Sequence, residues 1–552
     1  MLRRAFKISV WLLGVILLLL VLFFCYVRIV ARVVPPTPGS LAALNQEVVK
    51  SSSGLAVIGN NWFRRSESGL YELYVEGDPF DRGVANGKLT KDLVRYQEVV
   101  FTEQIRRLVP NQLYLKLLTY FVGWFNRDLT DNIPEEYQLE IFGVSQSASH
   151  DFDYIASPYQ RILNYHAAHD IGHALQNMSL VGCTSFATWG SNSADSSLII
   201  GRNFDFYVGD DFAENKIIAF YKPTQGYKFM MVTFGGMTGV LSGMNDEGLT
   251  VTINAAKSDI PSGSATPVSL VAREILQYAA TIKEAYQIAK KRKMFVAESF
   301  LIGSARDGKA AIIEKTHIGI DFFESDSSAI ICTNHFQGDT LGNTQLNKDH
   351  MKTSASPYRF ERVAELLGRQ GKNTVTRTAA ILRNQKGLRD IDIGMGNEKS
   401  INQLVAHHSI IFQPERKLVW ISTAPWQLGK YVCYDFNRVF ESIPTNNAEI
   451  YEGSLTIPED PFRHTESFEN YVKFSKYRFP FNDKSGLIPD SLVVWNPNSY
   501  HAYMLAGDYY MEKKNWKKAS MMYETGLSKV ISTGQEREYM QVNLRRCKEI
   551  QE

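Results

Sequence analysis

Residues 181–189 read VGCTSFATW, and residues 201–206 read GRNFDF. β-Branched and aromatic residues are frequent in both stretches, which predicts two strands joined as a hairpin. A hairpin would fold Arg202 and Asp205 back to the neighbourhood of Cys183. A lone cysteine at the start of a strand is usually a small buried hydrophobe. Here a cation, which lowers a thiol pKa, and a carboxylate, which can hold an ammonium group, follow it, so the cluster favours a nucleophile.

Short β-rich runs continue from Cys183 to about residue 440, with Gly, Asn, Asp and Ser between them. Helical periodicity marks residues 88–118 and 157–176 before these runs, and residues 267–293 and 357–369 among them. Mixed strands with clustered helices predict an α+β layered protein and not an alternating βαβ fold. No glycine-rich phosphate-binding loop follows the predicted strands, so a nucleotide cofactor is not expected.

Three more motifs accompany this hairpin. Residues 77–87 read GDPFDRGVANG, residues 242–254 read SGMNDEGLTVTIN, and residues 332–335 read CTNH. In this order, and with the hairpin between the first and the second, the motifs resemble those of the cysteine-type N-terminal nucleophile (Ntn) hydrolases. The branch of the acyl-CoA:6-aminopenicillanic acid acyltransferases is the most similar, with the choloylglycine (bile salt) hydrolases as relatives. The resemblance covers about residues 71–436.

The resemblance implies a four-layer αββα sandwich and a precursor that cleaves itself between Gly182 and Cys183. In that step the thiol attacks the preceding carbonyl carbon, an N-to-S shift forms a thioester, and water releases the new N-terminus. Gly182 suits the step because a residue without Cβ permits a close backbone approach. The released α-amine, whose ordinary pKa is about 7.7–8.0, can accept the thiol proton near neutral pH. Cys183 would then supply both nucleophile and base.

The resemblance also assigns roles around this thiol. Asp205 is expected to hydrogen-bond the new α-amine, and Arg202 to lie beside the thiol and favour the thiolate. Asn254 is expected to help form the oxyanion hole, which stabilises the charge that develops in the tetrahedral intermediate. Asn334 is expected to orient the amine or the substrate amide.

The distal active-site arginine of the family has two candidates in this sequence. Arg359 resembles it, and Arg362, one helical turn later, is the rival. Asn254 is followed by Ala255 and Ala256, where bile salt hydrolases usually have an aromatic residue and a proline. This departure argues against a bile-salt pocket.

Together these residues favour a self-processing enzyme that acts on amide bonds through an acyl thioester on Cys183. Hydrolysis of a small N-acylated amide is the first expectation, and acyl transfer from a thioester donor such as an acyl-CoA is the second. Two alternatives stay open. One is a non-catalytic, membrane-bound binding or scaffold protein, and the other is a papain-like thiol hydrolase that pairs Cys183 with a distant histidine.

An apolar segment lies near the N-terminus. Residues 8–27 contain no Asp, Glu, Lys or Arg, and a helix of this length covers the ~30 Å hydrocarbon core of a bilayer. Three basic residues precede the segment, and Arg28 and Arg32 follow it. This modest bias predicts a single-pass membrane protein with its N-terminus in the cytoplasm and its catalytic body outside, in the periplasm or the extracellular space.

Composition excludes several other classes. Lys and Arg number 60 against 58 Asp and Glu, so a nucleic-acid binder, which would show a basic excess, is not expected. Five scattered cysteines without CxxC spacing exclude a disulfide scaffold and argue against a zinc ribbon. His166, Asp170 and His173 share one face of a predicted helix, but their spacing is not a recognised hydrolase signature. No metal and no other cofactor is therefore expected.

The C-terminal sixty residues approximate the spacing of one tetratricopeptide (TPR) repeat. We expect a helical pair packed on the main body, because a single repeat offers little concave surface for binding. A protein-binding groove is the alternative. The predicted domains are a cytoplasmic stub with a transmembrane helix (1–30), a tether (31–60), a segment ending at the cleavage site (61–182), the catalytic core (183–450), a connector (451–490) and TPR-like helices (491–552).

Overall fold

In a computed structural model of the chain, the described residues are 2–52, 54–109, 111–175, 182–207, 209–257, 259, 263–294, 296–369, 371–441, 448–479 and 484–551. Their helices are α1 Leu2–Val30, α2 Pro79–Leu89, α3 Lys91–Leu108, α4 Gln112–Phe125, α5 Glu135–Ser145, α6 Pro158–Leu175, α7 Val268–Tyr278, α8 Ile282–Lys291, α9 Gln345–Thr353, α10 Ser356–Gly368, α11 Val375–Leu382, α12 Phe436–Val439, α13 Glu466–Arg478, α14 Pro489–Trp495, α15 Tyr500–Glu512, α16 Trp516–Leu527 and α17 Gly534–Gln551. Their strands are β1 Val49–Lys50, β2 Ala56–Ile58, β3 Asn61–Arg65, β4 Tyr71–Gly77, β5 Thr184–Thr188, β6 Ile199–Phe204, β7 Ile217–Pro223, β8 Phe229–Thr233, β9 Ser242–Asn245, β10 Leu249–Ala255, β11 Glu298–Ser304, β12 Lys309–Lys315, β13 Ile320–Phe323, β14 Ala329–Cys332, β15 His408–Gln413, β16 Leu418–Ser422, β17 Tyr431–Asp435 and β18 Tyr451–Ile457.

These strands form two sheets. The order in the first is β1-β2-β3-β4-β7-β8-β9-β10-β11-β12-β13, and the order in the second is β14-β5-β6-β15-β16-β17-β18. Neighbours are antiparallel except for β4 and β7, which run parallel, with Tyr71 opposite Ile217 and Gly77 opposite Pro223. The segment that precedes Cys183 is therefore hydrogen-bonded into the first sheet.

Alternating side chains carry the packing, because successive residues of a strand point to opposite faces of its sheet. Met230 of β8 shares a buried cluster with Ile200 of β6, which belongs to the other sheet. The next residue, Met231, packs in a different cluster with Val271 of α7. On the second sheet, Phe186 packs with residues of α10 and α11. The two sheets thus face each other, and helices contact their outer faces.

The mixed α+β class predicted from the sequence is confirmed. Two of the predicted long helices are each a pair of helices. Of residues 88–118, the first two end α2 and most of the others divide between α3 and α4. The sequence has a proline at position 110, a residue that disfavours helix interiors. Residues 267–293 divide between α7 and α8, because Thr281 caps α8 in a capping box with Glu284.

Helix α1 is long and apolar enough to cross a bilayer, by length and composition. Its apolar part is Phe6–Val30, with a mean hydropathy of 3.0 and no part of the window buried. Helix α4, which is also apolar, lies beside it, where the rings of Phe24 and Tyr120 are 5.2 Å apart. Several large side chains of α4 are exposed, including Leu113 and Phe121.

The C-terminal helices α15 to α17 contact each other and the sheet body. Gly507 of α15 meets the ring of Tyr523 of α16 so closely that a Cβ would lie 2.7 Å from it. Contact with the body centres on Glu398, whose carboxylate accepts hydrogen bonds from Arg478 at 2.9 Å and from Tyr500 at 3.1 Å. The range predicted as a connector includes β18, which pairs with β17 at the edge of the second sheet.

Candidate active site

Cys183 immediately precedes β5, and β5 and β6 form the predicted hairpin. Ser185 pairs with Arg202 across it. The Sγ atom of Cys183 lies 3.8 Å from Nη2 of Arg202 and 3.9 Å from the main-chain oxygen of Asp205. The structure thus brings together the three residues that the opening sequence pattern joined.

The thiol of Cys183 is almost fully buried, and burial raises its pKa to about 11. The positive charge of Arg202 lowers this pKa, as expected for a cation beside a thiol, but burial outweighs it. The thiol is therefore protonated at neutral pH in this structure, so that a nucleophilic attack requires a base nearby. Among the described residues, Sγ has Arg202 and the main-chain oxygen of Asp205 in hydrogen-bond range, and neither is a histidine.

The guanidinium of Arg202 is held beside the thiol by hydrogen bonds and by an aromatic ring. Its Nη1 donates to Oγ of Ser242 at 2.5 Å and to Nε2 of His408 at 3.2 Å, and its Nη2 donates to the main-chain oxygen of Ile253 at 2.5 Å. The guanidinium also stacks over the ring of Phe204, 4.3 Å from its centroid. Burial of the neutral His408 holds its pKa well below the ordinary value, so its Nε2 can accept.

Asp205 presents a buried carboxylate with no hydrogen-bond partner for either oxygen among the described residues. Burial raises the pKa of this carboxyl to about 7, against the opposing attraction of Arg359 and Arg202. Its main-chain oxygen accepts a hydrogen bond from the nitrogen of Gly182 at 2.9 Å. A buried acid that lacks partners is costly, which makes this carboxylate a place where a new cation would be stabilised.

The two asparagines predicted at the site lie on neighbouring elements close to Cys183. Nδ2 of Asn254 donates to the main-chain oxygen of Cys332 at 3.1 Å, and its Oδ1 accepts from Ser185 at 2.9 Å. Nδ2 of Asn334 donates to the main-chain oxygen of Ala255 at 2.8 Å. Each amide nitrogen carries two hydrogens and uses one of them in these bonds.

The two candidate arginines have different surroundings. Nη1 of Arg359 donates to the main-chain oxygen of Cys183 at 2.6 Å, and its Nη2 donates to Oδ1 of Asn334 at 2.8 Å. Arg362 instead forms ion pairs with Glu365 at 2.9 Å and Asp390 at 2.6 Å. The structure therefore brings Arg359, and not Arg362, to the cysteine.

Sequence reasoning missed three residues at this site. Gln403, in the segment before β15, donates from Nε2 to the main-chain oxygen of Gly182 at 2.6 Å. Glu298 is buried, its pKa is raised well above the ordinary value by burial, and its oxygens have no partner among the described residues. His408, the first residue of β15, contacts Nη1 of Arg202 at 3.2 Å. No local pattern marks these positions, because each reaches the site from a distant part of the chain.

A cavity of about 390 Å³ reaches Gly182, the residue before the cysteine. Its lining includes Gly182, Asn334, Arg359 and Gln403 from the sheet body, and Glu536 from α17. The C-terminal helices thus form part of the wall.

Among the described residues, no group of three or more His, Cys, Asp or Glu side chains could hold a metal ion. His166 hydrogen-bonds Ile162 and Thr238, and Asp170 accepts from the nitrogen of Val268 at 2.9 Å. The side chains of His169 and His173 lie outside the described residues. The described members of the histidine-rich face of α6 therefore have structural partners.

Comparison with known proteins gives a consistent result. Residues 191–423 match the sequence model of the acyl-coenzyme A:6-aminopenicillanic acid acyl-transferase family. An uncharacterized protein of Archaeoglobus fulgidus is 24% identical over 267 residues, which are 45% of this chain and 44% of that protein. The N-acylethanolamine-hydrolyzing acid amidase of Caenorhabditis elegans is 24% identical over 254 residues, 44% of this chain and 66% of the relative. The matches thus span less than two thirds of the length of either relative.

Solved structures with similarity include a Caenorhabditis elegans ortholog of that amidase and a variant of the conjugated bile acid hydrolase from Clostridium perfringens. The first has a TM-score of 0.31 at 17% identity and covers 42% of this chain and 93% of its own. The second has a TM-score of 0.32 at 14% identity and covers 50% of this chain and 97% of its own. The match over residues 191–423 confirms the resemblance that the sequence motifs indicated.

Proposed function

We propose that this chain is a self-processing amidase or acyltransferase with Cys183 as nucleophile. The proposal starts from the match of residues 191–423 to the acyl-coenzyme A:6-aminopenicillanic acid acyl-transferase family of Ntn enzymes. The observation that carries the proposal is the arrangement around one peptide bond. The thiol of Cys183 lies beside Arg202, and Asp205 offers a buried carboxylate that has no hydrogen-bond partner among the described residues. Release of an α-amine at Cys183 would supply the missing cation.

Self-cleavage begins when Sγ of Cys183 adds to the carbonyl carbon of Gly182 and the thiol proton moves to a base. Asp205 is the base we assign, because its main-chain oxygen lies 3.9 Å from Sγ and its carboxyl, with a pKa of about 7, is ionised in part near neutrality. The C–N bond then breaks, the nitrogen takes up a proton, and a thioester remains. Water adds to that thioester and leaves a carboxylate on Gly182 and a free thiol and α-amine on Cys183.

Turnover repeats the attack on a substrate. The α-amine of Cys183 accepts the thiol proton, and Sγ adds to the amide carbonyl carbon of an N-acylated substrate. The second N–H of Asn254 or Asn334 stabilises the oxyanion, and Arg359 keeps Asn334 and the Cys183 carbonyl in place. The departing amine takes a proton, and the acyl group stays on sulfur as a thioester.

Water or an amine then decides the product. Hydrolysis of an N-acyl amide is our first assignment, and the hydrolase named for N-acylethanolamines among the relatives makes that substrate class the first to test. Acyl transfer from a thioester donor such as an acyl-CoA is the second, since the matching family is described as an acyl-transferase. The expected extracytoplasmic location favours hydrolysis, because CoA is scarce there.

Several finer assignments belong to the same proposal. Residues 8–27 anchor the chain in the bilayer, with the N-terminus in the cytoplasm and the body outside. The exposed apolar faces of α1 and the adjoining α4 support this assignment. We interpret the facing sheets and their outer helices as a four-layer αββα sandwich, and α15 with α16 as a TPR-like pair whose role is structural. Protease digestion of intact spheroplasts tests this topology. A catalytic body that stays undigested would lie in the cytoplasm, which is the opposite orientation.

N-terminal sequencing of the purified chain tests the enzyme assignment. The wild type should yield a fragment that begins Cys183-Thr184-Ser185, whereas the Cys183→Ala variant should stay full length and inactive. Mass spectrometry after incubation with N-acylethanolamines, N-acyl amino acids and acyl-CoA should then show an acyl adduct on the new fragment. A full-length wild type that binds but does not turn over would favour the binding protein, and activity without cleavage would favour a papain-like hydrolase.

A further inference from the structure

The peptide bond predicted to break has its own hydrogen-bond donor. Nε2 of Gln403 lies 2.6 Å from the main-chain oxygen of Gly182. Gln403 is 3% exposed, so its amide is shielded from water, where a hydrogen bond to developing charge is strongest. Within the described residues, no other donor lies in hydrogen-bond range of this oxygen.

The fit between these two residues is close. A Cβ at position 182 would lie 2.4 Å from Nε2 and 2.5 Å from Oε1 of Gln403. Only a glycine leaves room for the amide in this position.

Gln403 is bonded by Arg478, a residue outside the family match over residues 191–423. Its main-chain oxygen accepts a hydrogen bond from Nη1 of Arg478 at 3.1 Å. Arg478 forms an ion pair with Glu398 at 2.9 Å, and Glu398 is the residue that the C-terminal helices contact. This bond fixes the backbone of Gln403, and its side-chain amide already faces the oxygen on which charge would develop.

The donors assigned to substrate turnover are directed elsewhere. The amides of Asn254 and Asn334 donate to the main-chain oxygens of Cys332 and Ala255. Neither is bonded to Gly182 among the described residues. Self-cleavage and turnover thus have different donor sets in this structure.

We propose that Gln403 is a catalytic residue of self-cleavage, the donor that stabilises the oxyanion on Gly182. This inference rests on the proposed function, since it requires that the bond between Gly182 and Cys183 breaks. As Sγ bonds to the carbonyl carbon, the carbon–oxygen π electrons move to oxygen, and the N–H of Gln403 holds the resulting charge. When the charge returns to reform the carbonyl, the C–N bond breaks and the thioester forms, with Asp205 carrying the proton between sulfur and nitrogen.

Cell-free synthesis of the full chain with liposomes, followed by denaturing gels over time, measures the rate of self-cleavage. Gln403→Met keeps the length of the side chain but removes the donor, and should slow cleavage by about 100-fold or more, as for other single oxyanion donors. Gln413→Met is the matched control. Gln413 is a buried glutamine of β15 that donates to Asp195 at 2.9 Å, away from the cleavage site. It should cleave within about threefold of wild type.

Gln403→Glu provides a readout that a purely structural role would not change. An ionised glutamate cannot donate to the carbonyl, whereas a protonated one can. The cleavage rate of Gln403→Glu relative to wild type should therefore be low at pH 8 and rise as the pH falls towards 5. If Gln403→Met fails to fold by limited proteolysis, this pH dependence decides the question.

The outcomes separate the two proposals. A wild type that cleaves, with Gln403→Met as fast as Gln413→Met or with a Gln403→Glu ratio that does not change with pH, would overturn the role of Gln403 and leave self-processing intact. A folded wild type that never cleaves would overturn self-processing itself, and the role of Gln403 with it.

Discussion

Arg359 donates a 2.6 Å hydrogen bond from Nη1 to the main-chain oxygen of Cys183, although the two residues are separated by 176 positions in the chain. The same nitrogen bonds Oγ1 of Thr184 at 2.8 Å, and the second nitrogen bonds Asn334. The planar guanidinium thus connects Cys183, the proposed nucleophile, with its neighbour in β5 and a predicted substrate-orienting residue. Only a fork of donors can reach all three acceptors at once.

Replacement of this arginine should impair both cleavage and turnover. Arg359→Lys keeps the charge but has one nitrogen in place of the fork, which leaves buried acceptors unpaired. We expect turnover per processed chain to fall by about tenfold or more, since each lost buried hydrogen bond to a charged group is worth about 1.5–3 kcal/mol. Amide hydrolysis and the processed fraction on gels measure the two effects.

Arg362→Lys is the matched control, because Arg362 is buried on the same helix but pairs with Glu365 and Asp390. It should lower thermal stability and leave turnover per processed chain within about threefold of wild type. Equal losses in the two variants would mean that the arginines contribute only to folding, and a larger loss in Arg362→Lys would exchange their assignments.

Asp205 should make the uncleaved chain less stable as the pH rises. Its pKa is raised from 3.8 to about 7, so the folded chain holds the carboxyl proton more tightly than the unfolded chain does. The free energy of unfolding contributed by this group therefore falls as the pH rises from about 4 to about 7, and stays low above that range. The contribution of this carboxyl to the free energy of unfolding is therefore fully present only at acid pH.

This sign can be measured in the Cys183→Ala background, where the chain is expected to stay uncleaved. Adding Asp205→Asn should raise the melting temperature at pH 8, and the difference should shrink or vanish at pH 5. Asp211→Asn, a change at an exposed aspartate nearby, should shift neither value. A melting temperature that falls at pH 8 on Asp205→Asn would show that the carboxylate is already stabilised by the surrounding arginines.

Local patterns predicted part of this site, and distance along the chain limited the rest. Cys183 and Arg202 are 19 residues apart and meet through one hairpin, which alternation and turn residues reveal. Gln403 is 221 residues from Gly182 and lies in a segment without periodicity, so only the assembled sheets bring it there. The elevated pKa of Cys183 could not be predicted either, because it depends on complete burial and not on which residues are neighbours.

The predicted boundaries of two long helices were wrong, because periodicity alone does not show where a helix is interrupted. Hydrophobic periodicity continues from α7 into α8. The break between the two helices is set by Thr281, whose side chain accepts a hydrogen bond from the backbone nitrogen of Glu284 and so caps the start of α8. Arg359 and Arg362 share the periodicity of α10, and tertiary contacts alone distinguish them. The mixed α+β class needed neither detail, and it was predicted correctly.

A buried ion cluster should keep the two products of the proposed cleavage together. Glu140, in the segment before Cys183, bonds Arg82 of the same segment at 2.5 Å and Arg273 of α7 at 3.0 Å. All three side chains are almost completely buried. After cleavage, Glu140 and Arg273 would belong to different fragments, which the parallel pairing of β4 with β7 also joins.

Glu140→Gln should weaken that association, because it leaves two buried guanidinium groups without a carboxylate. Loss of one partner from a buried ion pair costs about 3–5 kcal/mol, so the fragments should separate at a clearly lower urea concentration. Glu135→Gln, an exposed change on the same helix, is the control and should leave the midpoint unchanged. Size-exclusion chromatography of processed protein across a urea series measures both variants. Coincident midpoints would assign the association to the sheet alone, and fragments that separate without urea in the wild type would show that neither contact retains the N-terminal segment.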